Sequence, residues 1–153
     1  MYFYMMDTLF RAGELALTYK REAPDLHKLT SSSGLYEFIK PYFGDTIEVQ
    51  ESFYIIGLSR SNHIRSVFRL SSGGAAGTVA DPKLIFARLL LDNCAAFIMA
   101  HNHPSGNPQP SMADRRLTEN CTKAGKVLDL PCLDHIIVTT STYTSFADKG
   151  LIC

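Results

Sequence analysis

A pair of histidines closing an apolar run constrains this chain more than any other feature. Residues 94–100, C-A-A-F-I-M-A, have the length of a buried strand and carry no charge. His101, Asn102 and His103 follow directly. On extended chain, residues two apart project from one face, so the two imidazoles can converge on a single metal ion. Pro104, Gly106, Pro108 and Pro110 then turn the chain. Ser111 reads as a helix N-cap with Asp114 in the first turn, where a carboxylate can face back toward the histidines. Two nitrogens and one oxygen leave a fourth tetrahedral position for water, the pattern of a catalytic rather than a structural zinc site.

Each part has a plainer reading. Ser111-x-x-Asp114 also fits a capping box that only satisfies helix-start N–H groups, and this role is compatible with metal ligation. A lone H-x-H is weak evidence for a metal. The four residues within one strand–turn–helix context carry more.

The full string H-N-H-P-S-G-N-P-x-P-S-x-x-D, followed by L-D-H-I-I at 133–137, resembles the RadC branch of the JAMM (JAB/MPN+) metalloproteases. The resemblance runs from about Thr30 to the C-terminus. It implies a JAB/MPN-like domain in which His101, His103 and Asp114 hold Zn²⁺, Ser111 assists the developing oxyanion, and an upstream glutamate activates the water. Glu51, entering the apolar stretch F-Y-I-I-G-L, matches that glutamate, and Glu48 is the nearest rival. The implied activity is hydrolysis of an amide bond in a peptide or protein substrate. RadC-like proteins also carry a DNA-repair association, through a helical DNA-binding module joined to the catalytic domain. The N-terminal piece here is too short for that module and has no glycine hairpin, which argues against direct DNA binding.

Charge agrees with that expectation. Fifteen Lys and Arg balance fifteen Asp and Glu, leaving no electrostatic footprint for nucleic acid, though a local patch could hide in the balance. At 153 residues the chain is most simply one domain with a real core. Cys94, Cys121, Cys132 and Cys153 have no paired spacing and read as reduced thiols. No apolar run approaches the ~18 residues of a membrane span, and the apolar start of the chain lacks the basic flank of a signal peptide. A cytoplasmic protein is expected.

Residues 7–21 have Leu9, Phe10, Ala16 and Leu17 at helical spacing, and Pro24 follows. The expectation is a short helical extension, residues 1–28, packing on the domain or on a second subunit in a homodimer. Residues 29–153 form the hydrolase domain. Within it, 35–43 reads as a helix interrupted at Pro41, 50–58 as a central strand, 59–62 as a hairpin turn and 64–70 as the returning arm. The segment S-S-G-G-A-A-G-T at 71–78 lacks the lysine and G-K-[ST] ending of a phosphate-binding loop, and reads as a loop or bulged edge near the substrate groove. Asp81-Pro82 starts a broad-faced apolar helix to about Leu91, and a second long helix runs from Ser111, its regular part ending at Gly125. Residues 133–140 make a further strand, and Tyr143 to Phe146 continue the sheet or cover its edge. Alternating elements of this kind give a three-layer α/β domain, a mixed sheet flanked by helices.

Other motifs carry less. Asp134-His135 reads as a hydrogen-bonding pair supporting the site rather than as ligands. Pro131-Cys132 has neither the H-x-E nor the second cysteine of a zinc deaminase. The contiguous H-N-H spelling is unrelated to HNH nucleases, which spread those residues over a ββα unit. His27 and His63 read as surface residues.

Overall fold

The computed structural model describes residues 27–73 and 80–152. The predicted helix at 7–21 and most of the glycine-rich segment lie outside these. The order is α1 (Ser32–Phe43), a 3₁₀ turn (Gly44–Thr46), β1 (Ser52–Leu58), β2 (Ile64–Ser72), α2 (Pro82–Leu91), β3 (Ala96–Asn102), α3 (Met112–Val127), β4 (Cys132–Val138) and β5 (Tyr143–Ser145).

The five strands form one mixed sheet in the order β2-β1-β3-β4-β5. β1 runs antiparallel to both β2 and β3, β3 and β4 are parallel, and β5 returns antiparallel on β4. The parallel pair is joined through α3, as a parallel pair must be joined by a crossover. β1 and β3 are buried at every residue, because helices cover both faces of the sheet. Tyr54, Ile56, Leu58, Ile98 and Ala100 pack toward α1, while Phe53, Ile55, Phe97 and Met99 pack toward α2 and α3. Each fully buried aliphatic side chain in these layers contributes about 1.5–3 kcal/mol. The result is the three-layer α/β domain predicted from the alternation of elements.

Local chemistry sets the helix ends. Ser31 Oγ accepts from Gly34 N at 3.1 Å to cap α1, and Asp81 Oδ1 accepts from Lys83 N at 2.9 Å to cap α2, with Pro82 in its first turn. Two expectations need correction. Pro41 does not interrupt α1; it and Glu37 lie on the exposed side, so the carbonyl that Pro41 leaves without a donor faces water. Gly125 does not end α3 either. The helix continues to Val127, Asp129 takes the left-handed conformation at φ 54°, and Leu130 N donates back to Gly125 O at 2.8 Å.

Gly125 is small for a packing reason. A Cβ there would lie 2.3 Å from the Leu130 carbonyl oxygen and 3.3 Å from the Phe97 ring. Overpacking of that kind costs about 1–3 kcal/mol, more than the ~1 kcal/mol that alanine gains over glycine in a helix. Thermal melting of Gly125→Ala is expected to show a Tm lower by several degrees. An unchanged or raised Tm would show that the chain after α3 yields without cost.

Strand limits also move. β3 extends two residues past the apolar run, because His101 and Asn102 pair with Ile137 and Val138 of β4. The edge strand β2 carries a register shift opposite Phe53 and Tyr54, with Leu70 as the extra residue, one position ahead of the segment read as a loop or bulged edge.

Candidate metal centre

His101 and His103 sit at the C-terminal end of β3, and Asp114 in the first turn of α3, after a loop that brings the helix start back over the strand end. His101 Nε2 lies 3.0 Å from His103 Nε2 and 3.2 Å from Asp114 Oδ1, and His103 Nε2 lies 3.5 Å from Asp114 Oδ2. Ligand atoms of the three residues all fall within 4.8 Å of one another. Among the described residues this is the group of His, Cys, Asp or Glu able to hold an ion.

The donor set fits a cation. His103 Nδ1 lies 2.7 Å from the Asn107 carbonyl oxygen, which can only accept, so the proton sits on Nδ1 and the Nε2 lone pair faces inward. Asp114 Oδ2 accepts from Ser111 N and Ser111 Oγ, each at 2.7 Å. Those bonds fix the carboxylate rotamer and leave Oδ1, the oxygen nearer His101, to a ligand. The His101 side chain is fully buried, whereas those of His103 and Asp114 are 17% and 13% exposed. The cluster is therefore closed at His101 and reaches solvent at His103 and Asp114. Phe53 closes another side, its ring stacked on His101 at 5.5 Å between centroids and 7° between planes.

Electrostatics agree. The hydrogen-bonded Asp114 carboxylate raises the His103 imidazole above its ordinary value, against burial. Burial alone would raise Asp114, but the His101 and His103 rings facing it outweigh burial and hold the carboxyl well below the usual range. Protons and a cation thus compete for the same lone pairs.

Ser111 caps α3 as the bland reading required. Its Oγ accepts from Asp114 N at 3.1 Å, and the reciprocal bond from Ser111 N to Asp114 completes a capping box. Capping and proximity to the site occur together.

Glu51 immediately precedes β1, two residues before Phe53, which pairs with His101 where the β1–β3 ladder ends. The Glu51 charge contributes to the raised His103 imidazole. Glu48 lies elsewhere: its Oε1 accepts from Thr140 Oγ1 at 3.2 Å, beside the carbonyl that takes Lys40 of α1, in the opposite layer.

Sequence reasoning missed Asn102. Its side chain is buried on the α1 side of β3, where Oδ1 accepts from Ser52 N at 2.8 Å and Nδ2 donates to Ile47 O and Gln50 O at 2.7 and 2.9 Å. Three bonds from one amide thereby clamp the backbone on both sides of Glu51. Only the H-N-H spelling marked this residue, and it gave no role. His135 lies behind His101, its Nε2 2.8 Å from His101 Nδ1, with Phe146 stacked on its other side. Full burial holds this imidazole well below its ordinary value. Asp134 turns away, accepting from His135 N, Ser145 Oγ and Ala147 N. Cys121 and Cys132 are buried, and burial pushes the Cys121 thiol up to about 11, which suits inert core thiols. No helix among the described residues is long and apolar enough to cross a membrane.

Fold and site together define a three-layer α/β domain with a candidate two-histidine, one-aspartate metal centre at the end of its central strand. The RadC-like JAB domain family matches residues 29–151, and the chain belongs to that family. Similar proteins include the UPF0758 protein of Flavobacterium johnsoniae, 40% identical over 82% of this chain and 54% of the relative. The UPF0758 protein of Porphyromonas gingivalis is 38% identical over 86% of this chain and 58% of its own length. That of Salinibacter ruber is 33% identical over 94% and 60%, respectively. The chain thus spans little more than half the length of the curated relatives it matches.

Proposed function

We propose that this domain is a zinc-dependent hydrolase acting on amide bonds, of peptidase or isopeptidase type. The observation that carries the reading is the convergence of His101, His103 and Asp114 on a point open to solvent on one side. Membership of the RadC-like JAB domain family supports it. A zinc ion held there by His101 Nε2, His103 Nε2 and Asp114 would polarise the scissile carbonyl and lower the pKa of a water toward ~7.

The remaining work falls to the chain. The Glu51 carboxylate accepts the proton of the attacking water and passes it to the leaving amine. Asn102 keeps the backbone on either side of Glu51 from drifting. Ser111 Oγ–H, which rests on Asp114 Oδ2, would hydrogen-bond the developing oxyanion. Phe53 and the buried wall behind His101 keep bulk water from that side.

A zinc-loaded screen of peptide, isopeptide and nucleic-acid substrates, with Asp114→Ala as control, tests the proposal. Amide hydrolysis lost in the control supports it. Zinc retention without turnover on any substrate would leave a metal-binding scaffold. Duplex DNA bound more tightly than about 10⁻⁸ M at physiological salt, the range of dedicated readers, would instead favour an accessory role in DNA transactions.

A further inference from the structure

Behind the metal centre runs a chain of hydrogen bonds whose proton order can be worked out link by link. It starts on α3, where Thr118 Oγ1 lies 2.6 Å from the Asp114 backbone carbonyl oxygen. A carbonyl oxygen only accepts, so the single hydroxyl proton of Thr118 is spent there. The next link joins Thr118 Oγ1 to His135 Nδ1 at 2.7 Å. With its proton used, Oγ1 can only accept, and Nδ1 of His135 must carry the hydrogen. His135 is fully buried with its two ring nitrogens taken by Thr118 and His101, a setting for a neutral ring. A neutral imidazole protonated at Nδ1 has a bare Nε2. That Nε2 lies 2.8 Å from His101 Nδ1, which must then donate. In the neutral His101 ring this leaves Nε2 without a hydrogen, facing His103 and Asp114.

We propose that Thr118 and His135 form a proton-ordering chain that presents Nε2 of His101 bare for the metal. The inference rests on the cation-site reading of His101, His103 and Asp114 and adds two positioning residues to it. The chain also ties two ligands together from behind, since it begins on the backbone of Asp114 and ends on the ring of His101. Three elements are thereby held in one register: α3, β4 and β3. Reversing the order at any link would place a hydrogen on His101 Nε2 and point it at the centre. Thr118 thus matters for the direction in which it donates, as much as for its contact.

The test reads ring-nitrogen NMR shifts of histidine-labelled protein, metal-free at alkaline pH and again with zinc chloride, alongside zinc affinity by chelator competition. In the metal-free protein, His135 and His101 are both expected to carry hydrogen on Nδ1. Thr118→Val keeps the shape and removes the hydroxyl. It should weaken zinc by ~10–100-fold, the usual cost of losing a group that orients a ligand, and free His135 to adopt the other tautomer. Thr118→Ser should restore both the affinity and the proton order. A hydrogen found on His101 Nε2 in the metal-free wild-type protein overturns the proposal, as does Thr118→Val with unchanged affinity and tautomers. The wild-type shifts decide the proton order even if Thr118→Val fails to fold. Failure of the wild-type protein to take up zinc would remove the cation-site reading instead, while those same shifts still judge the chain.

Discussion

A His101→Ala, His103→Ala variant is expected to lose its zinc altogether, falling from about one ion per chain to background. The two imidazoles supply both nitrogen donors of the cluster, 3.0 Å apart, and Asp114 alone is left as a half-tethered carboxylate beside Ser111. A single monodentate oxygen does not hold zinc through desalting, whereas structural sites with a full ligand set reach about 10–16 kcal/mol of apparent binding energy. Elemental analysis of reconstituted, desalted protein reads the result directly, and unchanged zinc in the double variant would dismiss the assignment. The same measurement has a pH dependence of fixed sign. The Asp114 carboxylate raises His103 above the ordinary imidazole value, so a proton holds that ligand more strongly than it would a free imidazole. Apparent zinc affinity should therefore be at its plateau above the raised pKa and fall as pH drops through it, a decline that starts at higher pH than for an ordinary imidazole.

Glu51→Gln is expected to leave zinc content and melting temperature near wild type while lowering turnover on any accepted substrate by ~10²–10⁴, the usual worth of a general base. An amide has nearly the same shape as the carboxylate but cannot accept the proton. Position motivates the choice. Glu51 stands two residues before Phe53, the partner of His101, its charge acts on His103, and Asn102 clamps the residues on both sides of it. Glu48, the other acid considered from sequence, is engaged with Thr140 in the opposite layer. Undiminished turnover in Glu51→Gln would assign proton transfer to another group.

The metal cluster was legible in the sequence because its geometry is local. A two-residue spacing on a strand and an acid in the first turn of a capped helix predict convergence without knowledge of the remaining fold. The layer order followed from uninterrupted apolar strands alternating with amphipathic helices. What escaped was long-range. Thr118 looks like any threonine in a helix, and Asn102 like a spacer between two ligands, until β3 is set between β1 and β4. Gly125 was misread for a related reason. A glycine late in a helix signals either its end or a close approach, and only the return of Leu130 over it distinguishes the two. Pro41 was misread because the cost of a proline depends on whether the orphaned carbonyl meets water.

The end of β3 divides its labour between neighbours. His101 turns to the α2 and α3 layer and its metal ligands, while Asn102 turns to the α1 layer and fastens the segment leading into β1. A slip of one residue would exchange the two duties, so no partial alignment yields a partial centre. The acid proposed as general base, moreover, stands fifty positions ahead of the first ligand in the chain. A nascent or locally opened polypeptide could gather His101 and His103 around an ion and still lack the group that takes the proton. On the proposed function, the general base would then join the metal ligands only with closure of the central strand pair.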